Sequence, residues 1–304
     1  MQNAMKENMS NKKHIVLLGA GAVGVLPAVK FLARQDIRLT AAADAIRVAR
    51  YRRDGIFFNG EKIPFEFASP DEMHGYPPAE LIFIATKTPS LAEALENIVP
   101  LVSDETILLP LLNGITASDV IQERFPRNTV LKGYFLGHAS VRENNRISHD
   151  GVGTFFIGGE PNAVARTAEL FSSSGINTSV PADIVSAMWK KFVLNVGVNQ
   201  TQAVFKADYG TMQKSPAMLS YARSLMEEAV KIADAENVAD TGNMVEAAMK
   251  VILEMPERAK TSMLQDVLAN RETEVDAFAG TICQKAEKFN IPVPFNQDVL
   301  NKLK

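Results

Sequence analysis

The sequence predicts an α/β chain in two parts, a parallel-sheet N-terminal part followed by an all-α C-terminal part. Three observations predict it. Residues 14–18, His-Ile-Val-Leu-Leu, form a short apolar run that leads directly into Gly19-Ala20-Gly21-Ala22-Val23-Gly24 and an apolar, helix-compatible stretch through Phe31 and Leu32. Further runs at 37–43, 81–85 and 107–112 read as buried strands. After Pro181 the strand signals stop, and only helical patterning follows.

The first run is a strand, a G-x-G-x-x-G turn and a helix. Gly19 permits the tight turn, Gly21 lets a pyrophosphate approach the backbone, and Gly24 allows close helix–strand packing. The helix N-terminus attracts the negative charge. The whole turn, Gly19, Ala20, Gly21, Ala22, Val23 and Gly24, is therefore a candidate dinucleotide site, and the fold expected around it is a Rossmann domain. Its limits are set at residues 13–181, with 182–304 as an all-helical domain and 1–12 as a disordered leader. Pro27 is placed in the first helical turn, where a missing N–H does no harm.

The second strand, 37–43, ends in Asp44. A carboxylate there accepts hydrogen bonds from the adenine-side ribose and favours NAD, while one of Arg47, Arg50, Arg52 and Arg53 close behind could neutralise the 2′-phosphate of NADP, the others forming a solvated helix face. Residues 56–65 suggest a hairpin around Asn59-Gly60. After the strand 81–85, Lys87 falls at the carboxyl edge of the sheet, and Thr88 is expected to cap the next helix. Asn113-Gly114 follows the run 107–112 at the same edge. Stretches 129–139, 146–149 and 154–157 alternate like antiparallel strands, a helix covers 162–174, and 177–180 is a last short strand. Helices are expected at 183–206, 218–237, 243–254 and 262–290, the last opened by a capping box, Ser262-Met263-Leu264-Gln265, and carrying Glu274.

On the helix 183–206, Lys191, Asn195 and Asn199 recur at i, i+4 and i+8, a stripe about 80° wide. Phe192, Val193, Leu194, Val196 and Val198 surround them. A lysine and two amides on an apolar helix need partners or they cost free energy. A plain role is a lysine reaching to solvent and amides bonding neighbouring helices. The sharper reading is an acid with two hydrogen-bond donors facing a cleft.

Bulk properties narrow the field. The chain has 304 residues, 46% of them hydrophobic and 22% charged, which is ordinary globular composition. A net charge of −3 gives no basic excess for nucleic acid. No apolar run is long enough to span a membrane, and a single cysteine, Cys283, excludes an internal disulfide and a cysteine-based zinc site. The four histidines are scattered, so no metal is expected, and a reducing, cytoplasmic setting fits.

Taken together, the glycine triplet, Lys87, Leu112-Asn113-Gly114, Trp189-Lys190-Lys191 with Asn195 and Asn199, Ser262-Met263-Leu264-Gln265-Asp266, Thr273-Glu274-Val275-Asp276 and Ile291-Pro292-Val293-Pro294 resemble the ketopantoate reductase (2-dehydropantoate 2-reductase) family. The resemblance covers nearly the whole chain after residue 12. It implies a Rossmann domain plus a helical domain, with the active site between them, and reduction of the ketone of ketopantoate to pantoate by NAD(P)H. It implies Lys191 as general acid, and Asn195, Asn199 and Ser262 as substrate residues. Glu274 would contact both cofactor and reacting centre, and Lys87, Asn113 and Ser140 the cofactor. NADP is the family default. Asp44, however, stands where the usual member has an arginine, which points to NAD. A branch of the same family comprises NAD-dependent D-2-hydroxyacid dehydrogenases acting on other branched or aromatic 2-oxo acids. Ala207-Asp208-Tyr209-Gly210 also replaces a region that often supplies another substrate asparagine. A nucleotide-binding regulator without chemistry is a third reading, opposed by the complete polar set. The implied partner is a small 2-oxo acid, with the protein a monomer or homodimer and no nucleic acid or membrane involved.

Overall fold

The computed structural model describes residues 12–137 and 140–304. The expected leader lies, except for Lys12, outside the described residues, as do His138 and the end of the 129–139 stretch. The described residues form two compact units, one within 12–112 and 117–184, the other of residues 113–116 and 185–304.

The first unit is built on a six-stranded sheet. Its spatial order is Glu66–Ala68, Ile37–Ala42, Lys13–Leu18, Leu81–Ile84, Ile107–Pro110, Thr129–Val130. Every pairing in it is parallel, with Ile15 beside Leu39 on one side and Leu81 on the other. Numbered along the chain this is 3-2-1-4-5-6, the Rossmann order. The strand residues alternate between two cores. Ile15, Leu17, Leu39, Phe83 and Leu109 pack with Val25 and Phe31 of the helix Ala22–Leu32 and with Phe171. Val16, Leu18, Ile82, Ile84 and Leu108 pack with Leu91, Leu95, Ile98 and Ile121. Burial on both faces explains why these strands are continuous apolar runs.

Two smaller sheets complete this unit. Thr154–Gly158 lies between Lys132–Leu136 and Thr178–Ser179. The hairpin Phe57–Phe58 and Glu61–Lys62, turned by Asn59 and Gly60 at positive φ, joins the hairpin Ser140–Glu143 and Arg146–His149.

Several expectations are corrected here. Pro27 is not in the first turn: the helix starts at Ala22, immediately after Gly21, which puts the proline inside it. Residues 129–130 are not antiparallel; they extend the main sheet beside Ile107 and Leu108, and the Leu131 N–H donates to the Leu108 carbonyl before the chain enters the second sheet. Alternation reports which face is buried, but not the direction of the partner strand. Thr88 caps nothing: it begins a short 3-10 turn, Thr88–Ser90, whose cap position is Lys87.

The second unit packs Ile184–Phe205 (from Val185 onward), Pro216–Ala235, Met244–Glu254 and Ala279–Phe289 around Trp189, Phe192, Val196, Met226, Ile252, Phe278 and Ile282. Tyr209–Gln213 and Pro294–Leu303 are further helices. One glutamate of the long Pro216–Ala235 helix, Glu228, is buried and accepts from the Phe295 and Asn296 N–H groups, both at 2.9 Å, at the N-terminus of the last helix. The expected single helix 262–290 is three pieces: Ser262–Leu268, a 3-10 turn Val275–Ala277, and Ala279–Phe289. Asn270 takes a left-handed φ of 50°, and the Arg271 N–H returns to the Asp266 carbonyl at 2.9 Å, a Schellman stop. The capping box shifts as well. Thr261, not Ser262, is the N-cap, and its hydroxyl accepts from the Leu264 N–H at 3.4 Å.

Candidate active site

The second unit brings three of the singled-out residues into one chain of hydrogen bonds. Lys191 Nζ donates to Asn113 Oδ1 at 3.3 Å, and Asn113 Nδ2 donates to Glu274 Oε2 at 3.1 Å. Each comes from a different local structure. Lys191 is held mid-helix, between buried Phe192 and Trp189. Asn113 sits on the segment 113–116, whose Gly114 has a φ of 90° and lies so close to Ala277 that a Cβ there would approach its carbonyl oxygen to 3.3 Å. Glu274 sits where the 3-10 turn begins, because the Schellman stop ends the preceding helix early. The two charges dictate the amide's orientation, with its oxygen toward the ammonium and its NH2 toward the carboxylate.

Burial dominates the electrostatics of the lysine. Desolvation pushes the Lys191 ammonium down to about 8, and the charge of Glu274 pulls in the opposite direction. A lysine poised there is still largely charged at neutral pH yet gives up its proton readily. One helical turn further on, Asn195 is half-buried, and a turn beyond it Asn199 is 6% exposed. Neither amide makes a hydrogen bond among the described residues, so both keep their donors for a ligand or water. Ser262 is exposed at the first position of its helix, and Thr261 takes the capping task from it. Sequence reasoning missed Gln202, which is fully buried and whose side-chain oxygen accepts from the Thr261 N–H at 2.9 Å, fixing the start of the Ser262 helix.

The other candidates lie in the first unit. A Cβ on Gly19 would stand 2.6 Å from the Ala85 carbonyl carbon, and one on Gly24 would stand 2.6 Å from the Gly19 oxygen. At Gly21 the space is open, with nothing nearer than the Ala85 oxygen at 3.6 Å. Gly21 is the cap of the helix Ala22–Leu32 and no side chain satisfies its first N–H groups. Nearby in sequence to Lys87, the Thr86 and Thr88 hydroxyls are buried and have no hydrogen-bond partner among the described residues. Orphan donors of this kind beside a glycine-walled turn fit a pyrophosphate-containing dinucleotide. Asp44 caps the helix Ala45–Asp54, accepting from the Arg47 N–H at 2.7 Å, and its other oxygen pairs with the Arg47 guanidinium at 3.0 Å. Lys87 is exposed, and Ser140 is half-buried at the start of its strand, paired with His149.

Comparison with known proteins bears on what this constellation is. The sequence model of "Ketopantoate reductase PanE/ApbA" matches residues 15–162, and that of its C-terminal domain matches residues 183–304. A 2-dehydropantoate 2-reductase of Halobacterium salinarum is 31% identical over 223 residues, 71% of this chain and 72% of that protein. The chain belongs to the ketopantoate reductase family. It is an oxidoreductase of the NAD(P)-dependent type that acts on CH–OH groups.

Ketopantoate reductase folds are also what the described architecture matches. A dimeric ketopantoate reductase from Staphylococcus aureus is similar at a TM-score of 0.78 and 20% identity, covering 95% of this chain and 97% of that one. D-mandelate dehydrogenase solved with NADH and anilino(oxo)acetate is similar at a TM-score of 0.83 and 22% identity, covering 95% and 96%. Among the described residues, no helix is long and apolar enough to cross a membrane, and no cluster of three or more His, Cys, Asp and Glu side chains is placed to hold a metal ion.

Proposed function

We propose that the protein is a 2-dehydropantoate 2-reductase, reducing ketopantoate to pantoate with Lys191 as general acid. The observation that carries this reading is the Lys191–Asn113–Glu274 chain, a desolvated ammonium held by an amide that is itself held by a carboxylate. The bound nicotinamide would supply a hydride to the carbonyl carbon. As the carbonyl electron pair moves onto oxygen, Lys191 stabilises the growing charge and then transfers its proton, leaving the alcohol and a neutral amine. Glu274 keeps that amine charged between turnovers, and Asn113 fixes where it points. Asn195, Asn199 and Ser262 hold the 2-oxo acid in orientation. Gly19 to Gly24 with Lys87, Asn113, Ser140 and Glu274 serve the cofactor. Residues 13–181 act as the dinucleotide domain and 182–304 as the substrate domain, with the protein working in the cytoplasm as a monomer or homodimer. The lone thiol, Cys283, is buried and pushed up to about 11 by that burial, which suits a protein that needs no disulfide.

A second reading rests on Asp44. The two hydrogen bonds to Arg47 use about half of the carboxylate's accepting capacity, so it retains room for ribose hydroxyls. That supports an NAD-linked D-2-hydroxyacid dehydrogenase acting on other branched or aromatic 2-oxo acids. One experiment separates the readings: oxidation of NADH and of NADPH is followed with ketopantoate and with a panel of branched and aromatic 2-oxo acids. Turnover of ketopantoate supports the first reading. Turnover with NADH of phenylpyruvate-like acids alone supports the second, and cofactor binding without any turnover leaves a non-catalytic regulator. In the same assay Lys191→Ala lowers kcat about 10²- to 10⁴-fold; a near-normal kcat would remove the lysine from the acid role.

A further inference from the structure

We propose that Arg142 is a pyrophosphate-binding residue, the cation that completes the glycine turn. This rests on the dinucleotide reading of Gly19 to Gly24. Arg142 lies on the strand Ser140–Glu143, far along the chain from that turn. Its Nη1 nevertheless donates to the Ala20 carbonyl at 3.0 Å, and its Nε donates to the Asn144 carbonyl at 2.9 Å. The same Nη1 stands 3.7 Å from where a Gly21 Cβ would be, and Gly21 is the glycine of the Gly19, Gly21 and Gly24 set whose Cβ direction is not blocked by backbone.

The geometry fixes the guanidinium without neutralising it. Both partners are uncharged carbonyls, and no carboxylate pairs with Arg142 among the described residues, whereas Arg34, Arg38, Arg52 and Arg124 each pair with an Asp or Glu. A guanidinium has five N–H donors. Two are used here, and the remaining three lie on a half-buried group beside the N-terminus of the helix Ala22–Leu32, where the Gly21 N–H is taken by the Gly19 carbonyl at 2.8 Å and no side chain caps the N–H groups that follow it. An unpaired, pre-oriented cation beside uncapped helix N–H groups suits a diphosphate, which arginine can bind through two parallel hydrogen bonds. Because the pyrophosphate is common to NADH and NADPH, Arg142 raises affinity for both and does not choose between them. It differs in this from the Asp44 and Arg47 pair.

The test uses full-length protein and titrates NADH and NADPH into the unsubstituted chain, Arg142→Gln and Arg142→Lys, by calorimetry at two salt concentrations. The expected result is a rise in both dissociation constants by about ten- to hundred-fold in Arg142→Gln. The NADH/NADPH ratio stays as it was, the salt dependence becomes shallower, and kcat at saturating cofactor is kept. Arg142→Lys, which retains the charge without the fork, falls between. Unchanged dissociation constants in both variants overturn the proposal, as does a loss confined to NADPH, which would place the group at the 2′-phosphate. If Arg142→Gln does not fold, Arg142→Lys decides: binding equal to that of the unsubstituted chain, in its strength and salt response, leaves the fork with no role at the diphosphate. Failure of the unsubstituted protein to bind either nucleotide is a separate outcome, and it removes the dinucleotide reading itself.

Discussion

Lys191 carries a charge that the fold makes costly. Burial holds its ammonium at about 8, well below the usual lysine value of 10.5. Two consequences follow with opposite signs. For reduction the proton must be present, so kcat/KM is level below pH 8 and falls about tenfold per pH unit above it. Alcohol oxidation needs the neutral amine, and its profile rises through the same pH. A reductive profile that stays level to pH 10 would contradict the acid role. For stability, the unfolded chain binds more protons than the folded one between pH 8 and 10.5, so Lys191 makes the protein more stable as pH rises through that window. Below pH 8 the burden is complete, of order 3 kcal/mol. Lys191→Met therefore raises the denaturation midpoint at pH 7 and has little effect at pH 11.

Asp44 is a second residue with two duties. Removing it altogether loses a helix cap worth about 1 kcal/mol as well as a charge. Asp44→Ser keeps an acceptor for the Arg47 N–H and isolates the charge. It shifts the ratio of dissociation constants toward NADPH by about tenfold with a small change in melting temperature; an unmoved ratio would show that the carboxylate does not face the ribose.

At the scale of elements, the glycine turn and the long lysine helix were legible because their signals are local. A strand, three glycines and a helix follow one another in sequence, and Lys191, Asn195 and Asn199 share a stripe through helical period alone. The 262–290 stretch was misread because its apolar pattern persists across the break. The Schellman stop at Asn270 rests on one left-handed residue that is not glycine. The strands Glu66–Ala68 and Thr129–Val130 are too short to show any period. Arg142 and Gln202 were invisible for another reason. Their partners, Ala20 and Thr261, lie 122 and 59 residues away, so only the folded chain shows the contact.

The displaced cap gives a test at this scale. Thr261 holds the helix Ser262–Leu268, while Ser262 is free of that task. Thr261→Ala therefore destabilises the protein by about 1 kcal/mol. Ser262→Ala leaves the melting temperature nearly unchanged and raises the KM for the 2-oxo acid several-fold. Equal KM values in Ser262→Ala and the unsubstituted enzyme would take the hydroxyl out of the substrate site.

On the scale of the whole molecule, the glycine turn predicted the parallel sheet, and the switch in pattern after Pro181 predicted the helical half. The allocation of residues 113–116 was not predicted, since four residues carry no pattern of their own. They directly follow the apolar run that ends in Leu112, yet they pack with residues 185–304. The helical unit is thus discontinuous along the gene. A fragment that starts at residue 185 would contain Lys191 and Glu274 but not the amide that links them. Shuffling this half onto another nucleotide-binding partner would transplant an ammonium and a carboxylate without their connector, unless those four residues were grafted as well.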